Sequence, residues 1–177
     1  MRLDLTALLD GSAAKQEWEY TYAPHDDGPQ LGDEIRLTAP IAVRVTVGAH
    51  HGYLSLDAAA HAAYETDCAR CLEPLSRTLD VSLSRLIETD AASGGVTHDA
   101  DYEDSLLTME NGSVEIDDEV TEALLLELPM VHLCREDCPG LCPRCGKRLA
   151  DGPCGCEGKK EIDPRLAILQ KLLEKSE

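Results

Sequence analysis

Between residues 41 and 87 hydrophobic positions alternate with polar ones, and that period of two predicts a sheet. Ile41, Val43, Val45 and Val47 are interleaved with Ala42, Arg44 and Thr46, the pattern of a strand with one buried face. Gly48 to Gly52 reads as a turn. Tyr53 to Asp67 carries a second, less regular strand pattern. Leu75 to Ile87 carries a third, with Leu79, Val81 and Leu83 in alternation, and Lys15 to Tyr22 reads as a further strand. Antiparallel neighbours would place Cys68 and Cys71 in a turn between two strands. Residues 89–115 are rich in Asp, Glu, Gly and Ser and read as a long acidic loop, a length uncommon inside a compact domain.

The period then changes to that of a helix. Ile116, Val120, Ala123, Leu124 and Leu128 share one face, with Asp117 as the expected cap. Asp118 and Glu119 suit the positive end of the helix dipole, and Pro129 ends the segment. A second helix is predicted from Asp163-Pro164, a cap followed by Pro at the first helical position. Its apolar stripe is Leu166, Leu169, Leu172 and Leu173, and Lys171 and Lys175 suit its C-terminal end. The expected class is α+β: a mainly antiparallel sheet with two helices and a cysteine-rich metal-binding segment. The expected division is an acidic sheet domain with one helix at 1–133, and a zinc-ribbon-like segment with the C-terminal helix at 134–177, packed on the first part.

With no Phe and one Trp among 177 residues, the core must be aliphatic. No apolar run approaches the roughly 20 residues of a membrane span. The opening Met1-Arg2-Leu3-Asp4, soon followed by Asp10, lacks the pattern of a secretory signal. The expectation is a cytoplasmic protein with reduced thiols and no membrane partner. The net charge of −18 is unevenly placed. Residues 1–133 hold 7 Lys+Arg against 26 Asp+Glu, whereas residues 134–177 hold 9 against 8. Naked nucleic acid would be repelled by the acidic part, since phosphate binding relies on Lys and Arg. A basic protein is the better partner for it. Direct RNA contact falls to 134–165, through Arg135, Arg144, Lys147, Arg148, Lys159, Lys160 and Arg165, though ordinary solvated charges account for these as well.

The eight cysteines carry the chemistry. They form four close pairs: Cys68/Cys71, Cys134/Cys138, Cys142/Cys145 and Cys154/Cys156. Tetrahedral thiolate sites are commonly built from two such pairs. Cys142-Pro-Arg-Cys-Gly146 is the strongest motif, because its turn points both sulfurs at one ion and Gly146 lets backbone amides face them. The favoured grouping is Cys142, Cys145, Cys154 and Cys156 in one site and Cys68, Cys71, Cys134 and Cys138 in the other. The second site would tie the sheet to the cysteine-rich segment. Keeping the pairs intact allows three groupings, and spacing alone does not choose among them. Two zinc ions are expected, with rubredoxin-like iron as the alternative.

Catalytic readings find little support. All-Cys sites are typically closed and structural, whereas catalytic zinc keeps an open position. His132 lies near Cys134 as an alternate ligand but reads better as a strand or loop residue, and His50-His51 as solvated turn residues. No strand–helix alternation supports a thioredoxin-like or barrel enzyme, and there is neither a Gly-rich phosphate loop nor a nucleophile–base motif.

These residues resemble the YceD family of bacterial and plastid proteins, the large ribosomal RNA subunit accumulation proteins. The resemblance rests on Cys68-Ala-Arg-Cys-Leu-Glu-Pro74, Leu126-Glu-Leu-Pro-Met130, Cys134-Arg-Glu-Asp-Cys-Pro-Gly-Leu-Cys-Pro-Arg-Cys-Gly146 and Asp163-Pro-Arg-Leu-Ala-Ile-Leu169. It implies a non-enzymatic role in large-subunit ribosomal RNA accumulation and ribosome biogenesis. The implied partners are a large-subunit precursor, a basic ribosomal protein or a maturation enzyme. It transfers no catalytic residue. Some family members lack the later cysteines, which implies that the Cys142–Cys156 site is a stabilising addition.

Overall fold

The computed structural model describes residues 1–24, 29, 31–50, 53–88 and 106–156. The chain forms two compact units, one of Met1–Cys68 with Glu73–His132, the other joining Ala69–Leu72 to the chain from Leu133 onward.

The first unit holds the strands and α-helices of the described residues. In chain order its elements are β1 (Arg2–Asp4), α1 (Thr6–Leu9), β2 (Lys15–Tyr22), β3 (Arg36–Leu37), β4 (Ile41–Ala49), β5 (Tyr53–Asp67) and β6 (Pro74–Glu88). They continue with β7 (Leu106–Leu107), β8 (Ser113–Glu115) and α2 (Asp117–Glu127). The main sheet runs β2-β4-β5-β6-β7, with β3 pairing the far end of β5, and the short β1 pairs β8 apart from it. Every pairing is antiparallel except β6 with β7. The four strands expected from alternation are all present, and the class is α+β with a mainly antiparallel sheet.

Register explains why the alternation was informative. Trp18, Val45, Ala58 and Leu83 stand in one row across four strands, and Tyr20, Val43, Ala60 and Val81 in the next. Because side chains alternate faces, both rows point inward, and a one-residue slip would turn them all to solvent. Leu3, Leu5, Leu8, Val114, Ile116, Val120 and Leu124 complete the same core from β1, α1, β8 and α2.

Two local expectations are revised. The last ten residues of the acidic stretch 89–115 are not all loop. Leu107 and Val114 are buried, so β7 and β8 form there as short pairings around an apolar anchor. Residues 89–105 lie outside the described residues, as do His51 and the helix predicted from Asp163. Asp117 is also not the helix cap. Ile116, wholly buried, occupies that position without a side-chain cap, and Asp117 becomes the first helical residue. The core needs an apolar residue where the chain enters the helix, and this displaces the polar cap.

Asp117, only 3% exposed, instead anchors a polar cluster under the sheet edge. Its carboxylate accepts from the Tyr20 hydroxyl at 2.8 Å and from the Met1 ammonium. The Tyr22 hydroxyl donates to the Asp117 carbonyl at 2.9 Å and lies 2.8 Å from Thr121 Oγ1. Thr121 Oγ1 donates to that carbonyl as well, at 2.8 Å. Burial pushes the Tyr22 phenol up to about 12, so it remains a donor at neutral pH. Tyr22→Phe is expected to destabilise the first unit by about 1–2 kcal/mol, since it removes one buried donor and leaves part of the cluster unsatisfied. Urea unfolding followed by circular dichroism checks this, and a variant as stable as the parent would show that the Tyr22 hydroxyl contributes nothing.

Candidate metal centres

The β5–β6 hairpin sets the first pair of cysteines. Cys68 follows directly on β5, and its N–H donates to the Glu73 carbonyl at 2.8 Å, closing the turn before β6. Cys71 is followed by Leu72 at φ 57°, a left-handed conformation rare for a residue with a side chain. The same bend recurs in the other knuckle, where Cys145 is followed by Gly146 at φ 71°. Leu72 therefore does the job of a glycine, and is 65% exposed while doing so. The second pair sits on a turn in which the Cys138 N–H donates to the Arg135 carbonyl at 3.1 Å.

The sulfurs of Cys68, Cys71, Cys134 and Cys138 all lie within 4.8 Å of one another. Cys71 Sγ and Cys134 Sγ are 3.7 Å apart. A disulfide would hold them at about 2.05 Å. A tetrahedron with metal–sulfur distances of about 2.3 Å has edges of roughly 3.8 Å, so the spacing suits four ligands around one ion. Cys68, Cys71 and Cys138 are all buried. Ionised thiols in that setting need a nearby cation, and a thiophilic divalent ion would supply one.

Cys142, Cys145, Cys154 and Cys156 form a second quartet, again within 4.8 Å of one another. Its first knuckle is a tight hairpin in which the Cys142 N–H donates to the Lys147 carbonyl at 2.8 Å and the Gly146 N–H to the Cys142 carbonyl at 2.9 Å. Backbone N–H groups of Cys145 and Arg144, together with the Cys154 thiol, lower the Cys142 thiol to about 6. The neighbouring sulfurs of Cys145 and Cys154 push Cys156 up to about 12. Four adjacent thiols cannot all ionise alone, so the quartet takes its fully thiolate form only around a cation. Of the three groupings the pairs allow, the structure brings together one, with Cys68, Cys71, Cys134 and Cys138 in one quartet and Cys142, Cys145, Cys154 and Cys156 in the other.

Other candidate residues are placed differently. His132 belongs to neither quartet, and its ring meets Tyr64 edge-on at 5.7 Å. His50 stacks on Tyr53 at 5.0 Å, with Nε2 3.0 Å from Ser55 Oγ. Arg135 pairs with Asp137 at 3.4 Å, and Lys147 Nζ reaches the Pro153 carbonyl at 3.4 Å. Arg144 is exposed. Arg148 is partly buried and directs Nη2 to Cys71 Sγ at 3.9 Å. Lys159, Lys160 and Arg165 lie outside the described residues. Leu72 and the inward role of Arg148 were not foreseen. The repeated bend after the second cysteine was the available signal for Leu72, whereas Arg148 depends on a contact 77 positions away.

No described helix is long and apolar enough to cross a membrane. No solved structure gives a significant match to the chain. Among curated proteins, an uncharacterized protein of Mycobacterium tuberculosis is 36% identical over 107 residues, covering 60% of this chain and 49% of its own length. The chain thus spans about half the length of the mycobacterial relatives it matches. YlbN of Bacillus subtilis, also uncharacterized, is 28% identical over 153 residues, covering 84% of this chain and 83% of its own. A chloroplastic protein of Zea mays, named large ribosomal RNA subunit accumulation protein YCED homolog 1, is 24% identical over 143 residues, covering 67% and 49%. The family profile of large ribosomal RNA subunit accumulation protein YceD matches residues 56–173, a span that contains all eight cysteines. The chain belongs to the YceD family.

Proposed function

We propose that this protein is a non-enzymatic factor in the accumulation of large-subunit ribosomal RNA, acting in ribosome biogenesis in the cytoplasm and held in shape by two structural zinc ions. Family membership and the name of the maize relative support the ribosomal role. The single observation behind the structural role of the metal is the ligand set. Each quartet offers four sulfurs to one ion. A complete sulfur shell leaves no open position for water or substrate, which is the arrangement of a structural site. When bound, zinc would supply charge neutralisation and cross-linking of the chain, with no redox chemistry.

Charge divides the work between the parts. The acidic residues 1–133 suit a basic ribosomal protein or maturation enzyme, while 134–165 is the segment for RNA contact on a large-subunit precursor. Sedimentation of the tagged protein from gently lysed cells at low salt, with and without ribonuclease, tests the role. The expected result is comigration with large-subunit precursors and release by ribonuclease. A protein that remains a small free species at the top of the gradient would defeat stable residence on the particle.

The alternative is a rubredoxin-like iron-binding electron carrier, since four thiolates also suit iron. Anaerobically purified protein separates the two readings. Zinc gives a colourless sample with about two ions per chain, whereas thiolate iron absorbs visible light.

A further inference from the structure

We infer that Arg148 is a positioning residue for the Cys68, Cys71, Cys134 and Cys138 centre, through which the hairpin that builds one metal site supports the other. The inference rests on the reading of both quartets as metal sites.

Residues 140–149 form a closed hairpin: the Leu149 N–H donates to the Gly140 carbonyl at 3.0 Å, Leu141 bridges Arg148, and the Cys142 N–H donates to Lys147. The same hairpin carries Cys142 and Cys145, so ligating an ion there fixes the backbone on which Arg148 stands. At its base Gly140, at φ 77°, is pressed against the first knuckle. A Cβ at that position would lie 3.1 Å from the Arg70 carbonyl oxygen. Arg70 in turn donates from Nη1 to the Cys138 carbonyl at 3.0 Å. Residue 148 is thereby delivered beside Cys71, and its guanidinium Nη2 lies 3.9 Å from Cys71 Sγ.

The chemistry follows from charge. Four thiolates around one divalent ion carry a net charge of −2. Cys71 is 2% exposed, so water does little to screen that charge. A guanidinium at this distance stabilises the loaded, anionic centre more than the empty, protonated one. It also withdraws electron density from the sulfur that a proton must attack before the thiol can leave the ion. No comparable side-chain cation is seen at the sulfurs of the Cys142 quartet among the described residues.

Zinc release from the full-length, two-zinc protein to a chromogenic chelator provides the test. The slow and fast phases are assigned with Cys134→Ser, which retains an ion only at the Cys142 quartet. Arg148→Met is expected to speed release from the Cys71 centre about tenfold, in the range for loss of an outer-sphere partner, with the other phase unchanged. Arg148→Lys is expected to restore most of the lifetime, because it returns the positive charge. Cadmium-113 resonance of the cadmium-loaded protein gives an independent readout, in which Arg148→Met should shift one of two signals. Unchanged phases and signals in Arg148→Met would overturn the inference. So would acceleration of both phases without rescue by Lys, which is the mark of general loosening. A parent protein that binds no metal would instead defeat the metal reading itself, and this inference with it.

Discussion

Cys142→Ser is expected to leave the protein with one bound ion instead of two and to melt the segment from Gly140 to Cys156. Among the described residues of this segment only Gly140 and Cys142 are buried. No apolar core stands ready to hold the hairpin once its ion is gone. Structural zinc contributes roughly 10–16 kcal/mol of binding free energy in small zinc peptides, and in such units that binding is also folding free energy. Losing one of four thiolates leaves an open, weakly held ion, and the hairpin unfolds with it. Metal content should fall from about two to about one per chain. Trypsin should then cut after Arg144, Lys147 and Arg148 while the sheet unit stays resistant. Two retained ions and an uncut hairpin would show that the quartet is not a metal site.

The second large effect belongs to the sheet unit. Leu124→Ala should destabilise it by about 2–5 kcal/mol, the usual range for truncating a fully buried leucine. Leu124 is 0% exposed and lies on the face of α2 that, with Val120, joins the core. Against a total stability of about 5–15 kcal/mol for a typical domain, that is a severe loss. Leu126→Ala serves as the internal control: it sits in the same helix but is 86% exposed, and should change stability by no more than about 0.5 kcal/mol. Urea titrations should show a lower midpoint for Leu124→Ala with an unchanged slope. Equal effects from the two substitutions would mean that α2 is not held by its inward face.

The contrast between these sites reflects what a sequence can reveal. β4, β5 and β6 were legible because each is long enough to repeat an inward–outward period several times. The four cysteine pairs were legible because ligand spacing within a knuckle is a local property. The choice among three groupings was not, since Cys68 meets Cys134 and Cys138 only through the fold. Leu3, Leu5 and Leu8 went unread for the same reason. The short β1 and the four-residue α1 show no period, and their burial depends on partners far along the chain. Asp117 misled because it has the chemistry of a cap, while Ile116 took that position to satisfy the core.

The pairing of β1 with β8 has a consequence for how the protein is made. Leu3 leaves the ribosome well before its register partner Val114, which is synthesised more than a hundred residues later. At about 5–20 residues per second this delay is on the order of 5–20 s. The β4–β5–β6 meander pairs neighbours in sequence and can form during that interval, since its loops are short and their closure costs little entropy. Throughout it, Leu3, Leu5 and Leu8 have no completed core to enter, so residues translated ahead of the meander find their place after it.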